Sequence, residues 1–145
     1  MVRLNESAVR EFQIELLKRE RQAWFRILSN SMEPLIRKDD RVRVAAMNAS
    51  DARTGDIALL CTDGVFVAHR LVRIIRNSDR FHFFQKGDAN GSVSPVEEEA
   101  IIGKVVAVER KGMVLDLTHG SGRLQNALLA IKSMLQCRWN RLNGR

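Results

Sequence analysis

The feature that most constrains this chain is a succession of short apolar stretches, cut by glycine- and aspartate-bearing turns, from residue 23 to about residue 117. Ala23 to Leu28 is short, aromatic and apolar, and ends at Ser29-Asn30. Arg41-Val42-Arg43-Val44 alternates polar and apolar side chains with the two-residue period of a half-buried strand. Ile57 to Cys61 follows the turn Thr54-Gly55-Asp56, and Val65 to Ala68 follows Asp63-Gly64, a strong hairpin signal. His69 to Ile75 continues that strand. Phe81 to Gln85 is bounded by Asn77-Ser78-Asp79 and Lys86-Gly87-Asp88, and Ile101 to Val108 pairs with Met113 to Leu117 around Lys111-Gly112. Segments this short, joined by turns of this kind, predict a mainly β fold of antiparallel strands.

A helical period holds only at the two ends. Residues 6–21 repeat apolar side chains at Val9, Phe12 and Leu16, with Asn5 or Ser7 available as a cap. Residues 122–142 carry a stripe of Leu124, Leu128, Ile131, Leu135 and Leu142, joined by Ala127, Met134 and Trp139, opposite Gln125, Lys132, Gln136 and Arg138. That stripe is expected either to pack on its own domain, to dock on a partner protein, or to lie in a membrane interface. The expected division is an N-terminal helix over 1–22, a β domain over 23–118 and a C-terminal helix over 119–145. A chain of 145 residues is long enough for one such core.

Lys and Arg outnumber Asp and Glu by 24 to 17, a net charge of +7. This favours nucleic acid, anionic lipid or an acidic substrate without choosing among them. Much of the excess lies at the ends, where it reads first as a solvated face. Two cysteines, Cys61 and Cys137, are too few for a disulfide framework and lack a paired zinc spacing. Both are expected as reduced thiols, with Cys61 buried, and neither a metal nor a cofactor is expected. No stretch approaches the roughly 18–20 apolar residues of a transmembrane helix, and the N-terminus has no apolar leader core. A cytoplasmic location follows as the default expectation, with membrane association through the second helix left open.

The residues with chemistry to offer are spread along the β region. A serine hydroxyl is a weak nucleophile and needs a base within hydrogen-bond reach. An imidazole titrating near about 6.5 can serve as that base, and a carboxylate that orients it completes the arrangement. Ser31, His69 and Asp88 can form such a set only if the fold gathers them. Cys61 is a weaker candidate nucleophile. His82 and His119 lack a comparable context, and Asp56 reads as a turn residue.

Four segments narrow this choice: Ser29-Asn30-Ser31-Met32-Glu33-Pro34, Gly55-Asp56, His69-Arg70 and Lys86-Gly87-Asp88-Ala89-Asn90. In this order they resemble the boxes of the signal peptidase superfamily, which also holds self-cleaving repressors, and most closely the endoplasmic-reticulum and archaeal type. The resemblance covers about residues 24–108. It implies coiled antiparallel sheets and a serine endopeptidase acting through an acyl-enzyme. Ser31 is then the nucleophile and His69 the general base, at a position held by Lys in the bacterial type. Asp88 becomes the acidic partner, and the Ser29 hydroxyl helps the Ser31 N–H to bind the oxyanion. Met32 and Pro34 shape the elbow. Two departures stand out: Asp39-Asp40 replaces the family's Gly-Asp, and no membrane anchor is present in this sequence.

The resemblance also implies a peptide or protein substrate, possibly a leader or signal segment, with small side chains beside the scissile bond. A self-cleaving, repressor-type regulator is the alternative. It is disfavoured because the base is His rather than Lys, and because only about 30 residues precede Ser31. Nucleic acid is therefore not the expected partner. A non-enzymatic module binding peptides in the same cleft is the third reading.

Overall fold

Residues with positive φ set the strand pairing. A computed structural model describes residues 5–142 and 144; residues 1–4, 143 and 145, which the expected divisions 1–22 and 119–145 include, lie outside the described residues. After α1 (Glu6–Glu20) come β1 (Gln22–Arg26), β2 (Arg41–Ala46), β3 (Ile57–Thr62), β4 (Val65–Asn77), β5 (Arg80–Lys86), β6 (Ser94–Val96), β7 (Ile101–Arg110) and β8 (Met113–Asp116), then α2 (Gly120–Leu142). Asp63 and Gly64 take φ of 51° and 76°, and Lys111 and Gly112 take 50° and 77°. Such paired positive values match the twist of the strands they join. β3–β4 and β7–β8 are therefore tight antiparallel hairpins.

The eight strands form one antiparallel sheet in the order β1-β2-β7-β3-β4-β5-β6, with β8 also on β7. It does not close into a barrel. β7 pairs with β2 along one side and with β3, then β8, along the other. β3 is buried on both faces: Ile57 and Leu59 join a core with Phe25, Val42, Val44 and Val105, while Ala58 and Leu60 join a second with Leu71, Phe83 and Ile101. Strands covered on both faces read as continuous apolar runs, which is why Ile57 to Leu60 shows no alternation. The fold class expected from the sequence is the one observed: mainly β, with a helix at each end.

Three details differ from the sequence reading. β6 was not anticipated, because Pro95 lies in it. At the sheet edge, paired with β5 alone, a proline costs no ladder hydrogen bond on its open side. α1 starts from Asn5, whose side chain accepts from the Ser7 N–H, but it buries Leu17 and leaves Val9 and Phe12 exposed. α2 lies against the domain through its small and polar side instead of its leucine stripe. Gly122, Ala130 and Ser133 are buried, whereas Leu124, Leu128, Ile131, Leu135, Trp139 and Leu142 are 51–77% exposed. Gly122 permits this approach, since a Cβ there would meet the Asp116 carbonyl oxygen at 2.0 Å.

Candidate active site

The fold brings Ser31 and His69 together. Ser31 opens the turn after β1, and the next residue, Met32, is buried with Leu35 and Ile36. Their burial anchors the turn while Ser31 remains half-exposed. Further along, Asp39 takes φ of 73°, the left-handed conformation that glycine adopts easily and aspartate tolerates. Asp40 is buried and accepts from the Arg110 guanidinium at 2.9 and 2.6 Å. The Asp39-Asp40 pair thus keeps a glycine-like backbone.

The Ser31 Oγ lies 3.0 Å from His69 Nε2, and the Ser29 Oγ lies 3.1 Å from the Ser31 Oγ. His69 Nδ1 is hydrogen-bonded to Gln85 Oε1. An amide oxygen only accepts, so Nδ1 carries the proton and Nε2 presents its lone pair to the serine hydroxyl. This is the tautomer a general base requires. Burial lowers the His69 pKa below its ordinary 6.5; the Gln85 hydrogen bond and the field of Asp88 oppose that shift, and Lys86 adds to it. The imidazole is therefore neutral at neutral pH.

Asp88 does not make the contact expected of it. Its carboxylate is paired with Arg70, from Nε to Oδ1 at 2.8 Å and from Nη2 to Oδ2 at 2.7 Å. Both side chains are almost fully enclosed, at 0% exposure for Arg70 and 2% for Asp88. Ser133 of α2 donates to Asp88 Oδ1 at 2.8 Å, and Arg70 Nη1 donates to the Gly55 carbonyl and to Asn126 Oδ1, each at 2.8 Å. The physical reason is strand alternation. Consecutive residues of β4 face opposite ways, so Arg70 points away from the face carrying His69 and takes the carboxylate with it.

The segment Lys86 to Asn90 nevertheless shapes the site, through its backbone. Ala89 N–H donates to the Ser31 carbonyl at 3.0 Å. Gly87 packs so closely that a Cβ would sit 2.6 Å from that same oxygen and 3.2 Å from the Ser31 Cβ. Any larger residue would push on Ser31. Lys86 is buried beneath, where burial depresses its pKa, and its ammonium donates to the Gly87 carbonyl at 3.0 Å.

Gln85 is the residue that sequence reasoning missed. Its role depends on the β4–β5 register, where Leu71 faces Gln85 before an irregularity shifts the pairing to Arg73 and Phe84. Its only signal was its place just ahead of Lys86-Gly87-Asp88. Other candidates lie apart from the Ser31–His69 pair. Asp56 accepts from Arg53 N–H and pairs with Lys104 at 2.8 Å, so it closes a turn. His82 and His119 are exposed. Cys61 and Cys137 are free thiols, each half-buried rather than enclosed.

No curated protein sequence matches this chain. A family-level match extends from residue 3 to residue 106 and takes in Ser29, Ser31, His69, Gln85 and Asp88, together with every strand from β1 to most of β7. By that match, over most of its length, the chain belongs to the Peptidase S24-like family.

Proposed function

We propose that this protein is a serine endopeptidase that cleaves a peptide or protein through a Ser31 acyl-enzyme. The observation that carries the reading is the pairing of Ser31 Oγ with His69 Nε2 at 3.0 Å, while Nδ1–H is held by Gln85. His69 takes the hydroxyl proton as Ser31 attacks the scissile carbonyl, then returns it to the leaving amine. Water hydrolyses the ester with His69 again as base. The Ser29 hydroxyl stands close enough to Ser31 to donate, with the Ser31 N–H, to the developing oxyanion. Gln85 acts as the orienting group in place of a carboxylate. Histidine at position 69 favours the endoplasmic-reticulum and archaeal type within the wider superfamily. An extended substrate with small side chains beside the cut accords with that type.

The test is digestion of a peptide library by the wild type and by Ser31→Ala, with labelling by a serine-directed phosphonate. The expected result is cleavage and labelling that both vanish in Ser31→Ala. Cleavage that persists in the variant would overturn the reading. The family also includes self-cleaving regulators, so the same assay is run across protein concentrations. Cleavage of the chain itself at a rate independent of concentration would assign the chemistry to the chain's own segment.

A further inference from the structure

The side of α2 that faces away from the domain has no partner among the described residues. Leu124, Leu128, Ile131, Leu135, Trp139 and Leu142 recur three or four residues apart and form one continuous outward stripe. The opposite side is fastened to the domain by buried Ala130 and Ser133 and by the Asn126 and Ser133 hydrogen bonds. The stripe therefore cannot turn inward without breaking the Arg70–Asp88 network. At ~3.6 residues per turn, Lys132 falls along one border of the stripe and Arg138 along the other. Arg123 and Arg141 are exposed on the flank, and residues 117–145 contain no Asp or Glu.

We infer that α2 is a surface-lying membrane helix, which seats its leucine–tryptophan stripe among the acyl chains of an anionic bilayer while Lys132, Arg138, Arg123 and Arg141 meet the headgroups. Charge complementarity selects this occupant. Apolar area and cations of one sign, arranged side by side, match an anionic lipid surface. A second copy of the chain would bring rows of like charge together along the stripe, with no acid in residues 117–145 to neutralise them. The helix does not cross the bilayer: among the described residues no helix is long and apolar enough to do so. Its 23 residues would lie flat over about 34 Å. This inference stands independently of the chemistry at Ser31.

The full chain is floated with vesicles of phosphatidylcholine alone and of phosphatidylcholine mixed with phosphatidylglycerol. In a Trp24→Phe background the emission reports Trp139. The expected result is binding to the anionic vesicles with a blue shift of Trp139, and about tenfold or greater loss of binding in Leu128→Glu/Leu135→Glu. Lys132→Glu/Arg138→Glu should weaken binding by a similar factor and reduce its salt sensitivity. All four substituted side chains are exposed, so circular dichroism should be unchanged, and Ser31→Ala should bind like the wild type. Absence of binding to either vesicle would overturn the inference. So would equal binding to both, or binding that survives the paired glutamates. A dimer that those glutamates disperse, without vesicle binding, would overturn it too and assign the stripe to a second copy.

Discussion

His69 and Arg70 are consecutive residues of β4 and meet opposite environments. His69 is half-buried, shares its ring nitrogens between Ser31 and the neutral amide of Gln85, and keeps a depressed pKa. Arg70 is enclosed, and each of its hydrogen bonds ends on a carboxylate, a carbonyl or an amide oxygen. One face of the strand holds an imidazole beside a hydroxyl, and the other a guanidinium beside a carboxylate. The carboxylate that a triad would place beside histidine is instead committed to holding α2 and the Gly87 turn in position. The difference teaches that an acidic residue in the right motif can serve Ser31 indirectly, by fixing the backbone on which it rests.

Substitutions on the two faces should fail in different ways. On the Ser31 side, His69→Ala should lower kcat/KM for a cleaved peptide by about 10⁴-fold, with little change in thermal midpoint. A strongly lowered midpoint would show that His69 is needed for folding. On the enclosed side, Arg70→Ala leaves a buried carboxylate without its cation. It should cost about 3–5 kcal/mol of stability, read as a large drop in thermal midpoint. If Asp88→Asn lowered kcat sharply at an unchanged midpoint, the comparison would break and Asp88 would return as an orienting group.

Two smaller effects sharpen the Ser31 side. Ser29→Ala should reduce kcat by about 10²-fold, with KM nearly unchanged, because the lost donor acts on the developing oxyanion. An effect confined to KM would place Ser29 in substrate binding. The acidic limb of the kcat/KM profile should fall below pH 6.5, since burial lowers the His69 pKa and the neutral ring is the active form. In Gln85→Glu a carboxylate accepts the same Nδ1 proton and favours imidazolium, so the limb should move up by about one pH unit. A limb that stays in place would separate Gln85 from His69.

The strands and their hairpins were legible because Asp63-Gly64 and Lys111-Gly112 have few other conformations to adopt. Ser31 and His69 were legible as parts of ordered motifs. Gln85 was not, because its role follows from an irregularity in strand register that no local composition marks. β6 was concealed by Pro95, acceptable only because the strand is at an edge. The orientation of α2 could not be read from its apolar stripe. The enclosed Arg70 and Asp88 require polar partners, and Asn126 and Ser133 supply them from the other side of the helix.

The attachment of Asn126 and Ser133 to that ion pair ties the Ser31 turn to α2. The family match ends at residue 106, yet the charges beneath the Ser31 turn are completed by residues 126 and 133. A chain trimmed to the family's boundary would expose Arg70 and Asp88 to water and loosen the turn that grips the Ser31 carbonyl. The network beneath Ser31 is thus completed by α2, a segment that lies outside the matched family region.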